Sequence, residues 1–195
     1  MVSVFPPVTR QSVTEAAADL TGRLINRVTY AGLRWTGEEW DYGHYHQAVM
    51  GVQLGCPDST WFTVTWGSAF GDFGAELSRG APLQSGDHVE RRDFSAHPWW
   101  TPFAAVPVTA RIIWRTGYCT RTAQDPDQPA PLAVTLEHDG HLVWIVAAEK
   151  HRDTEPSSAY PAGYWLGADA LLVTADQEFA RTLGLRRKRR PRRQP

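Results

Sequence analysis

Apolar and polar residues alternate along several short segments of the chain, which is the pattern of half-buried β-strands. The clearest pair is Leu24–Tyr30 and Val108–Trp114, which are largely apolar at every second position. Similar or weaker alternation predicts further strands at 50–54, 62–64, 75–78, 132–136, 144–146 and 171–174. Turn residues predict the connections, a loop at 56–60 and a tight Asp-Gly hairpin at 138–141.

These strands repeat along the chain. The two clearest segments match each other at an offset of 84 residues, and the runs at 50–54 and 132–136 match at an offset of 82. We therefore expect one compact domain over residues 1–185, built from two similar strand-hairpin halves of about 12–95 and 96–185. Either half alone would leave a sheet face uncovered, so the halves should pack face to face.

Two capping-box patterns predict short helices, one at the N-terminus and one near the C-terminus. In the first, Ser12 and Glu15 precede an apolar run; in the second, Thr174 and Gln177 do, and Gly184 provides a stop. The expected fold class is α+β, with a mostly antiparallel β body.

The charge of the chain is divided between its body and its C-terminus. Residues 186–195 hold seven of the 20 basic residues and no acid, which leaves 13 basic and 21 acidic residues, a net charge of −8, in residues 1–185. A block of like charge stays solvated, so we expect a disordered tail. It would bind nucleic acid or another polyanion, fold back on the acidic body, or act as a solubilising extension. The cations concerned are Arg186, Arg187, Lys188, Arg189, Arg190, Arg192 and Arg193.

Composition narrows the class of protein. Two cysteines cannot form the disulfide framework of a secreted domain, and the N-terminus lacks the basic start and apolar run of a signal peptide. The longest uninterrupted apolar stretch, Leu142–Ala148, is far shorter than a membrane span. We therefore expect a cytoplasmic protein without a membrane partner. The 18 arginines against two lysines indicate a GC-rich bacterial genome.

The segment 35–46 concentrates the residue types that bind metals. On an extended strand His44 and His46 would project to the same side, and Asp41 would add a carboxylate. Such a set suits a divalent transition metal in a metal-dependent or small-ligand enzyme. His88, His97 and His151 have no partner that the sequence identifies.

The same segment is also rich in aromatic and acidic residues, which suits recognition of a protein partner. The contacts would come from Trp35, Glu38, Glu39, Trp40, Asp41, Tyr42 and Tyr45. A solvated connection that binds nothing is a third interpretation. The sequence contains no phosphate-binding loop and no nucleophile elbow.

From these patterns we expect a non-enzymatic protein that binds a protein partner and needs no cofactor, in character like an immunity or accessory factor. The metal-dependent enzyme is the alternative.

Overall fold

The computed structural model of the protein describes residues 7–33, 40–70, 73–80, 88–116, 129–150 and 163–185. These residues form three helices and ten strands. In chain order the elements are α1 (Arg10–Leu20), β1 (Arg27–Leu33), β2 (His46–Gln47), β3 (Gly51–Gly55), β4 (Trp61–Gly67), β5 (Gly74–Arg79), β6 (Val89–Asp93), α2 (Thr101–Ala105), β7 (Thr109–Arg115), β8 (Ala130–His138), β9 (His141–Lys150), β10 (Tyr164–Thr174) and α3 (Gln177–Thr182).

The strands form two five-stranded antiparallel sheets. Sheet A has the order β5-β4-β3-β1-β6, and sheet B has the order β2-β10-β9-β8-β7. Sheet A takes all its strands from residues 27–93, whereas sheet B combines residues 109–174 with β2, which comes from the first part of the chain. The predicted mostly antiparallel body with a few short helices is confirmed. The similarity of the two halves stays a prediction.

The inner faces of the two sheets share one apolar core. It contains Tyr30 and Leu54 from sheet A and Val134 and Ile145 from sheet B, all with essentially no exposed surface. Helix α1 lies beside β5 and β7 and adds its apolar side to this core. Burial of these apolar faces supplies the main stabilisation of the fold.

The outer face of sheet B has a second apolar cluster, which is covered by α3. Leu172 and Trp144 of the sheet pack there with Ala180 and Leu183. Ala180, Leu183 and Leu185 are therefore buried on this face of the sheet. Within the described ranges, none of the helices has the length and apolar character needed to cross a bilayer.

Helix α1 begins earlier than its capping pattern predicts. Thr9 is the N-cap: its hydroxyl accepts the backbone N–H of Ser12 (3.1 Å), and the Ser12 hydroxyl accepts the backbone N–H of Thr9 (2.9 Å). Ser12 is thus the third helical residue and not the cap. The prediction of Ser12 as the cap was wrong because serine can occupy either end of a reciprocal capping box.

Helix α3 also has a different cap from the predicted Thr174. The carboxylate of Asp176 accepts the backbone N–H groups of Glu178 (2.8 Å) and Phe179 (3.1 Å). Thr174 instead ends β10 and is fully buried. The predicted stop is confirmed. Gly184 has a positive φ of 72°, and the backbone N–H groups of Gly184 and Leu185 donate to the carbonyls of Arg181 and Ala180 in the last turn of α3.

The Asp-Gly hairpin lies where the sequence places it. His138 pairs with His141, and the two residues between them have positive φ angles of 42° and 89°, as a tight type I′ turn requires. Strands β2 and β6 have no counterpart among the predicted strands. β2 has only two residues, and β6 reads Val-Glu-Arg-Arg-Asp, which lacks alternation.

The close approach of the two sheets depends on a glycine at the start of β5. A Cβ atom on Gly74 would lie 2.8 Å from the carbonyl oxygen of Pro131 in β8. Backbone atoms cannot move aside as a flexible side chain can, so a larger residue must push the sheets apart.

We expect Gly74→Ala to lower the free energy of unfolding by about 2 kcal/mol, the usual cost of overpacking a core. Chemical denaturation of the variant measures this loss. Ser78→Ala, at an exposed position on the same strand, is the matched control and should leave stability nearly unchanged. Equal stability of Gly74→Ala and the wild type would contradict the argument.

Candidate metal centre

Residues 40–47 fold into a small hairpin that the sequence did not predict. The backbone N–H of Gln47 donates to the carbonyl of Trp40 (2.9 Å), and the N–H of Tyr42 donates to the carbonyl of Tyr45 (2.9 Å). Gly43, with a φ of 80°, allows the turn. Asp41 and His46 form an antiparallel bridge across this hairpin, so their side chains project to the same side.

The turn separates the two histidines that an extended strand would have placed together. The Nδ1 atom of His44 lies 2.8 Å from Oδ2 of Asp176, and its side chain is 76% exposed. His46 is 1% exposed, and its ring lies 5.7 Å from that of Tyr30 in β1. The structure therefore brings together Asp41 and His46 of the predicted metal set, while His44 contacts the cap of α3.

A third residue, His97, completes a cluster with Asp41 and His46. One potential ligand atom from each residue lies within 4.8 Å of the others. His97 belongs to the segment between β6 and α2, where its carbonyl accepts the N–H groups of Trp100 (2.8 Å) and Thr101 (3.1 Å). Two imidazoles and one carboxylate, from the 40–47 hairpin and from the segment after β6, thus converge at the edge where β2 and β6 end the two sheets.

Aromatic side chains enclose His46. Its ring stacks on Trp99, with centroids 4.0 Å apart and planes inclined by 19°, and lies 5.0 Å from the ring of Phe94. The hydroxyl oxygen of Tyr30 lies 3.3 Å from Nδ1 of His46, on the side away from Asp41. These contacts fix the orientation of the imidazole and direct its Nε2 atom towards Asp41.

Burial also determines the charge of the histidines. Desolvation lowers the pKa of His46 to about 4; the neighbouring His97 adds to this shift and Asp41 opposes it. Desolvation likewise lowers the pKa of His97, against the opposing effect of Asp41. Both rings are therefore neutral near pH 7, which is the form that binds metals.

Asp41 forms the open side of the cluster. Its side chain is 62% exposed, and its Oδ1 atom accepts the backbone N–H of Gly43 (2.7 Å). This hydrogen bond orients the carboxylate. The separation between Oδ1 and Nε2 of His46 is 3.9 Å, which is too long for a hydrogen bond.

The hairpin tip at 138–141 supports the segment that carries His97. The Nε2 atom of His141 lies 2.8 Å from the carbonyl oxygen of Trp99. Since a carbonyl only accepts, His141 donates this bond. His138 similarly lies 3.2 Å from the carbonyl of Pro107 through its Nδ1 atom. These histidines therefore hold loops in place.

Two of the three described aromatic residues of the predicted partner surface are buried. Trp40 is 8% exposed and covers Gly32, and the Arg92 guanidinium lies 4.9 Å above its ring. Tyr45 is 4% exposed and stacks on Phe179, whereas Tyr42 is 37% exposed. The hairpin turns the rings of Trp40 and Tyr45 inwards, and the polar composition of this segment does not predict their burial. Trp35, Glu38, Glu39 and the cations at 186–193 lie outside the described residues.

The sequence analysis did not predict His97 as a metal ligand, because no neighbouring residue in the sequence indicates a metal site. It lies in the run His-Pro-Trp-Trp, far along the chain from the 35–46 segment. Only the pairing of β6 with β1 brings it to the same edge as His46.

In comparisons with known proteins, no family model, curated protein or solved structure matched the chain.

The contact between His44 and Asp176 ties the hairpin to α3. The pKa of Asp176 is lowered, chiefly by the backbone N–H of Phe179 and next by His44. A carboxyl whose pKa is lowered by folding stabilises the fold above its ordinary pKa and loses this effect as the pH falls through its folded value.

We expect Asp176→Asn to reduce the free energy of unfolding by about 1 kcal/mol at about pH 7, because the variant keeps an oxygen acceptor and loses the charge. The difference from the wild type should shrink as the pH falls below the ordinary range of carboxyl pKa values, because protonation of Asp176 removes the charge that distinguishes it from asparagine. Denaturation across this range measures it. A difference independent of pH would contradict the role of the charge.

Proposed function

We propose that the protein binds a divalent transition metal ion through Asp41, His46 and His97 and uses it as a catalytic centre. The observation that carries this proposal is the convergence of three ligand atoms within 4.8 Å, one of them on a buried and neutral histidine. Imidazole nitrogen with carboxylate oxygen suits zinc, iron(II) and manganese. This is the sequence-derived alternative with His97 in place of His44.

The spacing of the ligand atoms suits an ion after small movements. Bonds of about 2.0–2.2 Å to zinc place tetrahedral ligand atoms roughly 3.3–3.6 Å apart. The separation between Asp41 and His46 is 3.9 Å. Asp41 is exposed and His97 half-buried, so these two side chains have room to close on the fixed ring of His46.

The number of ligands favours catalysis over a structural role. Structural zinc sites are closed by four protein ligands, whereas catalytic sites combine three with water or substrate. In the described part of the chain this cluster offers three, and the exposed side chain of Asp41 opens it to solvent. A metal held there would lower the pKa of a bound water and make it a nucleophile near neutral pH.

The first test measures metal binding to the full-length protein. We expect Zn²⁺ or Co²⁺ to bind with one equivalent in calorimetry, and His97→Ala and Asp41→Asn each to weaken binding by at least about tenfold, since changes beyond the direct ligands already cost that much. Visible absorption of the Co²⁺ form should change in both variants, because it reports the ligand set directly.

His44→Ala is the matched control, since His44 is an exposed histidine only two residues from His46. It should bind metal like the wild type. Retention of wild-type affinity by both His97→Ala and Asp41→Asn would overturn the proposal, as would a wild type that takes up neither metal. His46→Gln is a less clean test because a buried ring is lost.

Recognition of a protein partner is a second candidate function, favoured by one observation. Within the described residues, Tyr42 is the exposed large hydrophobic side chain, and it stacks on Tyr45 with centroids 4.9 Å apart. A rigid, exposed aromatic ring next to the carboxylate of Asp41 suits an interface. Trp40 is unsuited to testing this role because its removal would open the core.

If Tyr42 contacts a partner, we expect Tyr42→Ala to lose a protein that the wild type retains in affinity purification from the source cells, with the fold unchanged by circular dichroism. Asp169→Ala, at an exposed position on β10, should retain it. If the wild type, Tyr42→Ala and Asp169→Ala retain the same proteins, recognition of a partner through Tyr42 is ruled out.

Two broader expectations remain proposals. The seven cations of residues 186–193 would bind polyanions, for which a charged block is suited. The two halves would be pseudo-equivalent. Strand order supports this idea, because β1, β3, β4 and β5 are successive neighbours in sheet A, as β7, β8, β9 and β10 are in sheet B.

A further inference from the structure

A short chain of buried hydrogen bonds lies behind His46. The indole N–H of Trp100 donates to the hydroxyl oxygen of Tyr30 (2.7 Å), and this oxygen lies 3.3 Å from Nδ1 of His46. The three residues are at most 1% exposed, so the groups must satisfy one another within the core.

The donor at one end of this chain determines the direction of the other bonds. An indole nitrogen only donates, so the Tyr30 oxygen acts as acceptor towards Trp100. The hydroxyl hydrogen is then available to donate, and Nδ1 of His46 is within reach as an acceptor. A neutral imidazole that accepts at Nδ1 carries its proton on Nε2.

A metal ion needs the opposite arrangement. Nε2 of His46 is the atom that faces Asp41, and it must offer a lone pair to bind an ion there. The ring proton then lies on Nδ1, where it requires an acceptor. The hydroxyl of Tyr30 can serve as that acceptor because it has two lone pairs.

We propose that Tyr30 is a positioning residue that holds metal-free His46 in the Nε2–H tautomer and reverses its hydrogen bond when a metal binds, so that His46 becomes the Nδ1–H tautomer. This inference rests on the proposed metal site. The exchange is balanced: one proton leaves Nε2, one arrives at Nδ1, and the phenol keeps its own.

His97 lacks this property. Its Nδ1 atom accepts the backbone N–H of Trp99 (3.3 Å), and a backbone N–H cannot become an acceptor. Ligation through Nε2 of His97 therefore requires that this hydrogen bond be given up. The hydroxyl of Tyr30 can therefore either donate to or accept from Nδ1 of His46, whereas His97 must give up a hydrogen bond to ligate through Nε2.

The test uses long-range proton–nitrogen NMR of the imidazole rings, which distinguishes the two neutral tautomers directly. We expect His46 to show the Nε2–H pattern in the metal-free wild type and the Nδ1–H pattern with Zn²⁺. In Tyr30→Phe, which keeps the ring stacked on Phe94 (4.0 Å) and loses the hydroxyl, the metal-free protein should show both tautomers. Tyr164→Phe, a buried tyrosine on β10, is the control and should leave the His46 pattern unchanged.

The outcomes separate the two proposals. A metal-free wild type in the Nδ1–H form overturns the role of Tyr30, and this measurement needs no variant to fold. A wild type in the Nε2–H form that takes up no Zn²⁺ supports the role of Tyr30 in the metal-free protein and removes both the metal site and the reversal. Zn²⁺ binding without a change of tautomer removes the reversal while leaving the metal site in place.

Discussion

The pairing of β2 with β10 is the constraint on which the rest of the site depends. After β1 the chain leaves sheet A, pairs His46 and Gln47 with Val173 and Leu172 of sheet B, and returns to sheet A as β3. The N–H of Ala48 extends this contact to Leu171 (2.8 Å). The two sheets are thereby joined by backbone hydrogen bonds as well as by their apolar core. His46 is buried because this short strand lies at that junction.

The regular strands could be predicted from the sequence because burial on one face imposes alternation. The expected strand at 108–114 is observed at 109–115, and the one at 132–136 lies within 130–138. Strands β2 and β6 follow another rule, since edge strands are specified by the neighbour they pair with. A two-residue strand and the charged run of β6 leave no periodic pattern to read.

The candidate site was predictable only in part, for a related reason. Residue types identified Asp41 and His46, but their relation depends on a turn at Gly43 that an extended segment does not contain. That turn sends His44 to Asp176 and leaves a place for His97, whose approach requires β6 to pair with β1. It also buries Trp40 and Tyr45. Local sequence indicates chemistry, whereas the partners of each group are set by long-range pairing.

A buried histidine can also be explained as a purely structural residue, and the geometry around Nε2 argues against that explanation for His46. A structural histidine would use its ring nitrogens in hydrogen bonds, as His141 does with the carbonyl of Trp99 at 2.8 Å. Nε2 of His46 instead faces a carboxylate oxygen at 3.9 Å. That gap is too long for a hydrogen bond, and it is a few tenths of an ångström wider than the roughly 3.3–3.6 Å that separates ligand atoms around a tetrahedral ion. With His97 on the same side, the three potential ligand atoms lie within 4.8 Å of one another, and small movements of Asp41 and His97 would bring them to the spacing of ligands around an ion.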